Sequence, residues 1–347
     1  MHEDPFGLCG ATLDGRYRVD SVVGEGGFGI VYRGWHLDFD HALAIKCLKV
    51  PGHFTSAAKQ VFLEKFREEG KHLSKLSSQT LASVRAFAFG LSPSRAGEVP
   101  YLVLEWLDGS DLERLLSANA TAFEERDAVE LLRPAVEALS CAHRMGIAHR
   151  DIKPANLYLA RVLGEVQLKV LDFGIAKAMQ EGETATQIAT RTSSGFSAFS
   201  PRHGAPEQFS PKKLGATGPW TDVHALGLVL CEMLTGRPAL DGEEPSEWLM
   251  SALAPERPTP GTRGARISDA LEAICARCVA LAPKERYCDA GELLAALDAL
   301  FAPRRAEEKA AWTSRLPAPT PADAALDTAQ YLDQLHGASP VPLHARL

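Results

Sequence analysis

Four polar residues that could act on a phosphate group lie close together near the middle of the chain. Asp151, Lys153 and Asn156 fall within six positions, and Asp172 follows sixteen residues after Asn156. A carboxylate can orient a hydroxyl nucleophile, a lysine can neutralise phosphate, and carboxamide and carboxylate oxygens can hold hard divalent cations. Two apolar runs between Asn156 and Asp172 predict two short strands. If these strands fold back on each other, Asp151, Asn156 and Asp172 meet at one end of a hairpin.

A second group of residues suited to phosphate binding lies near the start of the chain. Gly24, Gly26 and Gly29 follow a strand-like segment in a Gly-x-Gly-x-x-Gly pattern. Glycine lets backbone N–H groups approach phosphate oxygens closely. One interpretation is dinucleotide binding, which requires a helix after the glycines. Because residues 30–35 alternate and include β-branched side chains, a strand is predicted there, and a loop that covers the phosphates of ATP is favoured.

An apolar strand predicted over residues 42–49 carries Lys46 in its middle. A lysine in such a strand is costly to bury unless it is paired, and the alternative is a surface lysine on an edge strand. The helix predicted over residues 57–76 has one apolar stripe, and helical periodicity places Glu69 on it. Because a carboxylate on a core-facing stripe needs a cation, we pair Glu69 with Lys46.

Together these motifs resemble the catalytic core of eukaryotic-like (Hanks-type) protein kinases. Residues 149–156 read His-Arg-Asp-Ile-Lys-Pro-Ala-Asn, Asp-Phe-Gly begins at Asp172, and residues 205–207 read Ala-Pro-Glu. The resemblance covers about residues 17–302. The lysine of the Lys-Pro-Ala-Asn segment is typical of serine/threonine kinases, bacterial ones in particular, and is lacking in tyrosine kinases.

The resemblance implies an α+β, bilobal protein kinase fold over residues 16–302. We expect a small five-stranded antiparallel N-lobe with one helix over residues 16–106 and a larger, mainly helical C-lobe over residues 107–302. Residues 1–15 show no periodicity and are interpreted as an N-terminal leader. Residues 303–347 are rich in proline and alanine and are interpreted as a largely disordered tail.

The resemblance also assigns a catalytic group. Its members are Asp151, Lys153, Asn156, Lys46 and Glu69. Asp151 accepts or orients the proton of the substrate hydroxyl, and Lys153 stabilises the transferring phosphoryl group. The implied activity is transfer of the γ-phosphate of Mg-ATP to serine or threonine hydroxyls of protein substrates in signal transduction.

ATP and Mg²⁺ are the implied cofactors. Asn156 and Asp172 are the implied metal ligands. The ATP-binding positions are Gly24, Glu25, Gly26, Gly29, Val31, Ala44, Lys46, Glu105, Leu107 and Asp172. Either Asp108 or Asp111 contacts the ribose or, as an alternative, caps the helix that begins near residue 112.

The segment between Asp172 and residue 207 is rich in threonine and serine. One interpretation is a flexible polar loop. Arg150 lies beside the catalytic aspartate, where it could pair with a phosphate on this segment. We therefore hypothesise activation by autophosphorylation at Thr186, Thr190 or Thr192.

Several further positions match structural residues of the family. Glu207 should pair with Arg286, and Asp222, which opens an almost wholly apolar helix, should support the catalytic-loop backbone. Ser200 stands where the family usually has threonine, and its hydroxyl can bridge the catalytic aspartate and lysine. His203 replaces the usual tyrosine, so the shape of the substrate pocket does not follow from the resemblance.

Composition limits the other classes of function. At 347 residues the chain can hold two sizeable cores and a tail, and its net charge of −7 argues against a general binder of nucleic acids or membrane surfaces. No window of about 18 apolar residues is free of charge, so we expect no membrane span. The seven scattered cysteines and the acidic N-terminus, without a signal peptide, indicate a cytoplasmic protein.

One pair of cysteines has the spacing of a metal site. Cys275 and Cys278 form a single Cys-x-x-Cys within a helical pattern. A four-ligand zinc site needs a second pair. We interpret these two thiols as helix-packing residues.

Two other functions fit parts of the pattern. A pseudokinase scaffold would bind nucleotide or partners without transfer, but every member of the implied catalytic group is present. A small-molecule phosphotransferase of kinase-like fold would lack the full activation segment, which here ends in an intact Ala-Pro-Glu. The sequence therefore favours a protein kinase.

Overall fold

The structure, a computed structural model, divides into two compact units that are described separately. It describes residues 4–26, 29–50, 54–95, 97–118, 122–162, 165–173 and 199–304, together with residues 308 and 312. The first unit holds the described residues of 1–51 and 88–106, and the second holds those of 52–87 and 107–319. A unit built on a sheet and a mainly helical unit give the predicted α+β organisation.

The first unit is built on a six-stranded sheet with the strand order β1-β2-β3-β4-β6-β5. The strands are β1 (Thr12–Leu13), β2 (Tyr17–Gly26), β3 (Gly29–His36), β4 (His41–Leu48), β5 (Ala86–Ser94) and β6 (Gly97–Glu105). The sheet has one strand more than the five predicted. The extra strand, β1, comes from the segment interpreted as a leader, where Thr12 and Leu13 pair with the start of β2.

Strand register gives this sheet two different faces. Ile45 of β4 lies opposite Tyr32 of β3 and Val103 of β6, and all three side chains are fully buried in one core. The next residue, Lys46, lies opposite Val31 and therefore belongs to the other face, because side chains alternate along a strand. The predicted glycine-loop hairpin is confirmed, because β2 and β3 pair antiparallel up to Gly26 and Gly29, and the element that begins at Gly29 is a strand.

The second unit is mainly helical and contains one small sheet. Its helices are α1 (Ser56–Ser77), α2 (Leu112–Ala118), α3 (Glu125–Arg144), α4 (Pro206–Phe209), α5 (Pro211–Leu214), α6 (Pro219–Thr235), α7 (Pro245–Leu253), α8 (Asp269–Cys278) and α9 (Ala290–Leu300). The sheet consists of β7 (Gly109–Asp111), β8 (Leu157–Val162) and β9 (Glu165–Val170), in that order. Among the helices of the described residues, none is both long and apolar enough to cross a bilayer.

Helix α6 is the centre of the second unit. Every residue from 221 to 234 is buried, and the helix packs against α3, α8 and α9. A helix that is apolar on all sides must be surrounded by other elements, which confirms the predicted core helix. The helix ends at Gly236, whose φ of +64° is left-handed and whose N–H donates to the carbonyl of Glu232 at 2.9 Å.

Cys275 and Cys278 lie in α8 and are buried free thiols. Burial raises the pKa of Cys278 to about 12. A thiol with so high a pKa stays protonated and behaves as a small apolar side chain. The interpretation of this pair as helix-packing residues is confirmed.

Candidate active site

The hairpin of β8 and β9 brings the predicted site residues together. Asn156 immediately precedes β8, and Asp172 follows two residues after the end of β9. The backbone N–H of Leu171 donates to the carbonyl of Asn156 at 2.8 Å, which closes the open end of the hairpin. The predicted meeting of Asp151, Asn156 and Asp172 at this end is confirmed by the register of the two strands.

Three groups fix the carboxylate of Asp151. The side-chain amide of Asn156 donates to its Oδ2 at 3.2 Å and to its backbone carbonyl at 2.7 Å. Lys153 places its Nζ 3.1 Å from the same Oδ2. The backbone N–H of Ser200 donates to Oδ1 at 2.9 Å. A carboxylate held on both oxygens has a defined position before any ligand arrives.

Ser200 contacts both members of the Asp151–Lys153 pair, as predicted. Its hydroxyl accepts a hydrogen bond from Lys153 Nζ at 2.6 Å, while its backbone N–H, and not its hydroxyl, reaches Asp151. The contact to Asp151 is therefore independent of the side chain at position 200. The contact to Lys153 requires the hydroxyl.

Asp222, at the start of α6, holds the backbone that precedes Asp151. Its carboxylate accepts the backbone N–H of His149 at 2.7 Å and that of Arg150 at 2.6 Å. Arg150 has a φ of +67°, which is strained for a residue with a side chain. Two charge-assisted hydrogen bonds to a fully buried carboxylate stabilise this strained turn, so the predicted support by Asp222 is confirmed.

Two buried histidines connect this loop to its surroundings. His143 donates from Nε2 to Asp222 at 3.0 Å and accepts the backbone N–H of Ala290 at Nδ1. His149 donates from Nε2 to the carbonyl of Leu171 at 2.7 Å, and its ring lies 5.0 Å from that of Phe173. Each ring therefore carries its proton on Nε2 and acts as a structural connector.

The segment after Phe173 contains several of the predicted positions. Gly174 and the candidate phosphorylation sites Thr186, Thr190 and Thr192 lie outside the described residues. Asp172 itself has a left-handed φ of +58° and is partly exposed. A turn at this residue directs the chain out of β9.

Glu207 and Arg286 form the predicted ion pair. Two parallel hydrogen bonds of 2.9 Å join Arg286 Nη1 to Glu207 Oε1 and Nη2 to Oε2. Both side chains are fully buried, and Thr221 donates a further hydrogen bond to Oε1 at 2.7 Å. This pair fixes the end of the activation segment to the helical core.

Lys46 and Gly29 belong to the first unit, and Glu69 belongs to the second. Lys46 is buried in β4, opposite Val31 and two residues from Ala44. Glycine is required at Gly29, because a Cβ there would lie 2.1 Å from the carbonyl oxygen of Cys47. Glu69 lies in α1, and its side chain is outside the described part of the structure, so its pairing with Lys46 stays a prediction.

The polar residues of the glycine loop and of the segment after β6 have local partners. Glu25, in the glycine loop, forms an ion pair with Lys49 just beyond β4. The carbonyl of Leu107 accepts the hydroxyl of Tyr158 at 3.3 Å. Asp111 accepts the backbone N–H of Arg114 at 2.9 Å, which is the capping role weighed against a ribose contact.

Two contacts of the site have no signal in the sequence. Gln208 donates to the carbonyl of Arg150 at 2.9 Å and accepts the backbone N–H of Ala205 at the same distance. His203 lies 3.2 Å from Glu232, and although burial raises the pKa of that carboxyl, His203 and the N–H of Ala239 lower it overall. The contacts of Gln208 with Arg150 and of His203 with Glu232 join residues far apart in the chain, so only the fold shows them.

The fold and this geometry agree with one family. The protein kinase domain model matches residues 17–296, which contain every site residue described above. The chain therefore belongs to the protein kinase family, in its eukaryotic-like (Hanks-type) serine/threonine form.

Bacterial serine/threonine-protein kinases are among its curated relatives. The chain is 30% identical over 285 residues to PknB of Mycobacterium leprae, covering 82% of this chain and 43% of that protein. It is 30% identical over 319 residues to pkn3 of Myxococcus xanthus, covering 90% of this chain and 55% of that protein. The chain thus spans about half the length of the curated relatives it matches.

A solved structure gives the same fold. The PknI kinase domain of Mycobacterium tuberculosis superposes with a TM-score of 0.60 at 20% sequence identity, covering 84% of this chain and 98% of that one. At this identity the likeness shows the fold alone.

Proposed function

We propose that this protein is an ATP-dependent serine/threonine protein kinase that transfers the γ-phosphate of Mg-ATP to serine and threonine hydroxyls of protein substrates. The observation that carries the proposal is the carboxylate of Asp151, held on both oxygens by Asn156, Lys153 and the backbone of Ser200. A general base must be fixed near the hydroxyl whose proton it takes. The proposal includes a role in signal transduction, which the family implies.

Asp151 and Lys153 divide the chemistry between them. Asp151 orients the substrate hydroxyl and accepts its proton as the oxygen attacks phosphorus. Lys153 lies 3.1 Å from that carboxylate, so its ammonium is placed to donate to the oxygens of the transferring phosphoryl group. Lys153 donates a hydrogen bond to the hydroxyl of Ser200, and this bond holds the ammonium group in place.

The donor set beside Asp151 suits a hard divalent cation. Asn156 uses its amide nitrogen to bind Asp151, which leaves its side-chain oxygen for a cation, and Asp172 adds a carboxylate. These two residues would hold Mg²⁺. When bound, the ion would neutralise charge on the β- and γ-phosphates.

The remaining predicted ATP-binding positions would hold the rest of the nucleotide. We assign the phosphates to Lys46 and to the backbone of the glycine loop, including Gly24, Glu25, Gly26 and Gly29. Val31 and Ala44 would line the adenine pocket, and the backbones of Glu105 and Leu107 would meet the adenine edge. Glu69 would orient Lys46.

Activation by autophosphorylation is part of the proposal. The guanidinium Nε of Arg150 is buried and has no hydrogen-bond partner among the described residues. A phosphate on Thr186, Thr190 or Thr192 would supply a partner for this cation. Phosphopeptide mapping of active protein tests this, since an unmodified activation segment would refute it.

We also propose a cytoplasmic location, from the cysteine usage. Labelling accessible cysteines in intact cells with a membrane-impermeant thiol reagent tests this. Cys9 and Cys288 are exposed in the fold. They should react only after lysis.

Transfer of label from γ-phosphate-labelled ATP tests the activity. With Mg²⁺ and a generic acceptor protein, wild-type protein should label the acceptor and Asp151→Asn should not. Asp40→Asn is the matched control, because Asp40 is an exposed turn residue. Its side chain accepts a hydrogen bond from Trp35, and an asparagine side chain can accept the same bond. Absence of transfer by wild-type protein that binds ATP would instead indicate a scaffold.

A further inference from the structure

Residues 4–13, here called the N-terminal strap, form part of the first unit although they precede the matched kinase domain. Phe6, Leu8 and Leu13 are each at most 5% exposed and belong to the same core as Tyr32 and Ile45. Burying such apolar side chains away from water stabilises a fold. The strap therefore covers the face of the sheet that lies opposite to Lys46.

Backbone hydrogen bonds hold the strap near both edges of the sheet. The carbonyl of Phe6 accepts the N–H of Arg95, in the turn between β5 and β6, at 3.0 Å. At its other end, Gly10 donates to the carbonyl of Val19 at 2.8 Å and Ala11 accepts the N–H of Val19 at 2.9 Å. Since β5 and β1 are the two edges of the sheet, the strap crosses the whole face.

Asp4 joins the strap to the middle strand. Its Oδ1 accepts the hydroxyl of Tyr32 at 2.8 Å and the N–H of Gly7 at 2.8 Å, and its Oδ2 accepts the N–H of Cys9 at 2.8 Å. Burial acts to raise the pKa of Asp4, but these hydrogen bonds lower it to about 2. The carboxylate is therefore ionised at every physiological pH, and its bond to Tyr32 is charge-assisted.

Tyr32 contacts the strap from β3, and its neighbour Val31 lies on the face of the sheet to which we assign ATP. It follows Val31 in β3, and Val31 pairs with Lys46 on the opposite face of the sheet. Gly24 and Gly26 of the glycine loop pair with Val31 and Gly29 of the same strand. A shift of β3 at Tyr32 would therefore move the glycine loop and Val31 together.

We propose that Asp4 is a positioning residue for nucleotide binding, which acts by holding Tyr32 and so fixing β3 and the glycine loop. The inference rests on the proposed function, because it assigns ATP to the face that carries Val31 and Lys46. Asp4 itself lies on the opposite face, across the sheet from the nucleotide. The strap thus makes ATP affinity depend on a segment outside the matched domain.

The test compares nucleotide affinity with turnover in Asp4→Ala, Tyr32→Phe and the double variant. A hydrogen bond to a charged group has an energy that corresponds to about tenfold or more in an equilibrium constant. We expect each single variant to raise KM for ATP about five- to tenfold while kcat stays within about twofold. The double variant should be little worse than Asp4→Ala, because Asp4→Ala already removes the hydrogen bond to Tyr32.

A second measurement separates this inference from the proposed function. Binding of ADP with Mg²⁺ is measured by calorimetry in an Asp151→Asn background, so that no transfer is needed. The control is Asp20→Ala, which removes an exposed carboxylate that pairs with Arg18 in β2. We expect Kd to rise about five- to tenfold in the Asp4 and Tyr32 variants and to stay unchanged in the control.

Two results would overturn the inference. If the variants lower Tm but leave KM and Kd within twofold of wild type, the strap is only structural, and the proposed kinase function stands. If the Asp151→Asn protein binds no ADP and wild-type protein transfers no phosphate, the inference and the proposed function fail together.

Discussion

Arg286 and Glu207 meet in a fully buried, two-pronged ion pair with both N···O distances at 2.9 Å. Such a pair is weakly stabilising as a whole, but removing one partner leaves an uncompensated buried charge. It joins the Ala-Pro-Glu end of the activation segment to residues near the start of α9.

We expect Glu207→Gln to lower the free energy of unfolding by about 3–5 kcal/mol. Urea denaturation followed by circular dichroism measures this change. Lys71→Ala is a suitable control, because its partner Glu68 is exposed and such a pair contributes about 0–1 kcal/mol. A loss for Glu207→Gln no larger than that of the control would show that the buried pair does not form.

Asp222→Asn should damage turnover more than nucleotide binding. The NH₂ group of an asparagine would face one of the two backbone N–H groups that the carboxylate now accepts, so that hydrogen bond would be lost. Each lost hydrogen bond to the charged group is worth about 1.5–3 kcal/mol, so we expect kcat to fall at least about tenfold while KM for ATP changes little. Steady-state kinetics on the purified variant tests this. Unchanged kcat would mean that the turn at Arg150 does not need Asp222.

Truncating Ser200 should lower kcat much less than truncating Lys153. Ser200→Ala keeps the N–H contact to Asp151 and loses only the hydroxyl, so we expect kcat to fall about three- to tenfold. Lys153→Ala removes the ammonium from the site, and we expect a loss on the order of 100-fold or more. Ser200→Thr keeps the hydroxyl and should restore wild-type kcat. Equal losses for Ser200→Ala and Lys153→Ala would contradict these separate roles.

His224 should make the fold less stable below neutral pH. It is fully buried in α6 and accepts a hydrogen bond from Arg257 at 3.1 Å, and burial together with Arg286 and Arg257 holds its pKa well below 6.5. Below pH 6.5 His224 binds a proton in the unfolded chain but not in the folded chain. The free energy of unfolding therefore falls as the pH drops.

The expected slope from this one group is up to about 1.4 kcal/mol per pH unit. Denaturant unfolding between pH 7 and pH 5 measures it, with His224→Phe for comparison. The phenylalanine variant should lose less stability over this range than wild type. Parallel curves for the two proteins would exclude His224 as a source of the pH dependence.

The parts of the site that the sequence predicts are those with local spacing. Asp151, Asn156 and Asp172 lie at the ends of two adjacent strands, so a hairpin alone brings them together. The roles of Asp222 and Arg286 follow from the family resemblance, because their contacts join positions separated by more than 70 residues.

The parts that the sequence does not predict depend on long-range packing. Phe6, Leu8 and Leu13 show no regular helical or strand period, so the sequence predicts a leader there, yet all three are buried. Gln208 has an ordinary polar side chain, and only the approach of α4 to the turn at Arg150 gives it the carbonyl of Arg150 as a partner.

Phosphoamino-acid analysis after incubation with labelled ATP, Mg²⁺ and an acceptor protein tests whether this protein transfers phosphate to serine or threonine. Wild type and Asp151→Asn are compared after calorimetry has shown that both bind ADP. The proposed kinase activity requires labelled serine or threonine with wild-type protein and none with Asp151→Asn. Wild-type protein that binds nucleotide but produces no labelled serine or threonine would contradict it.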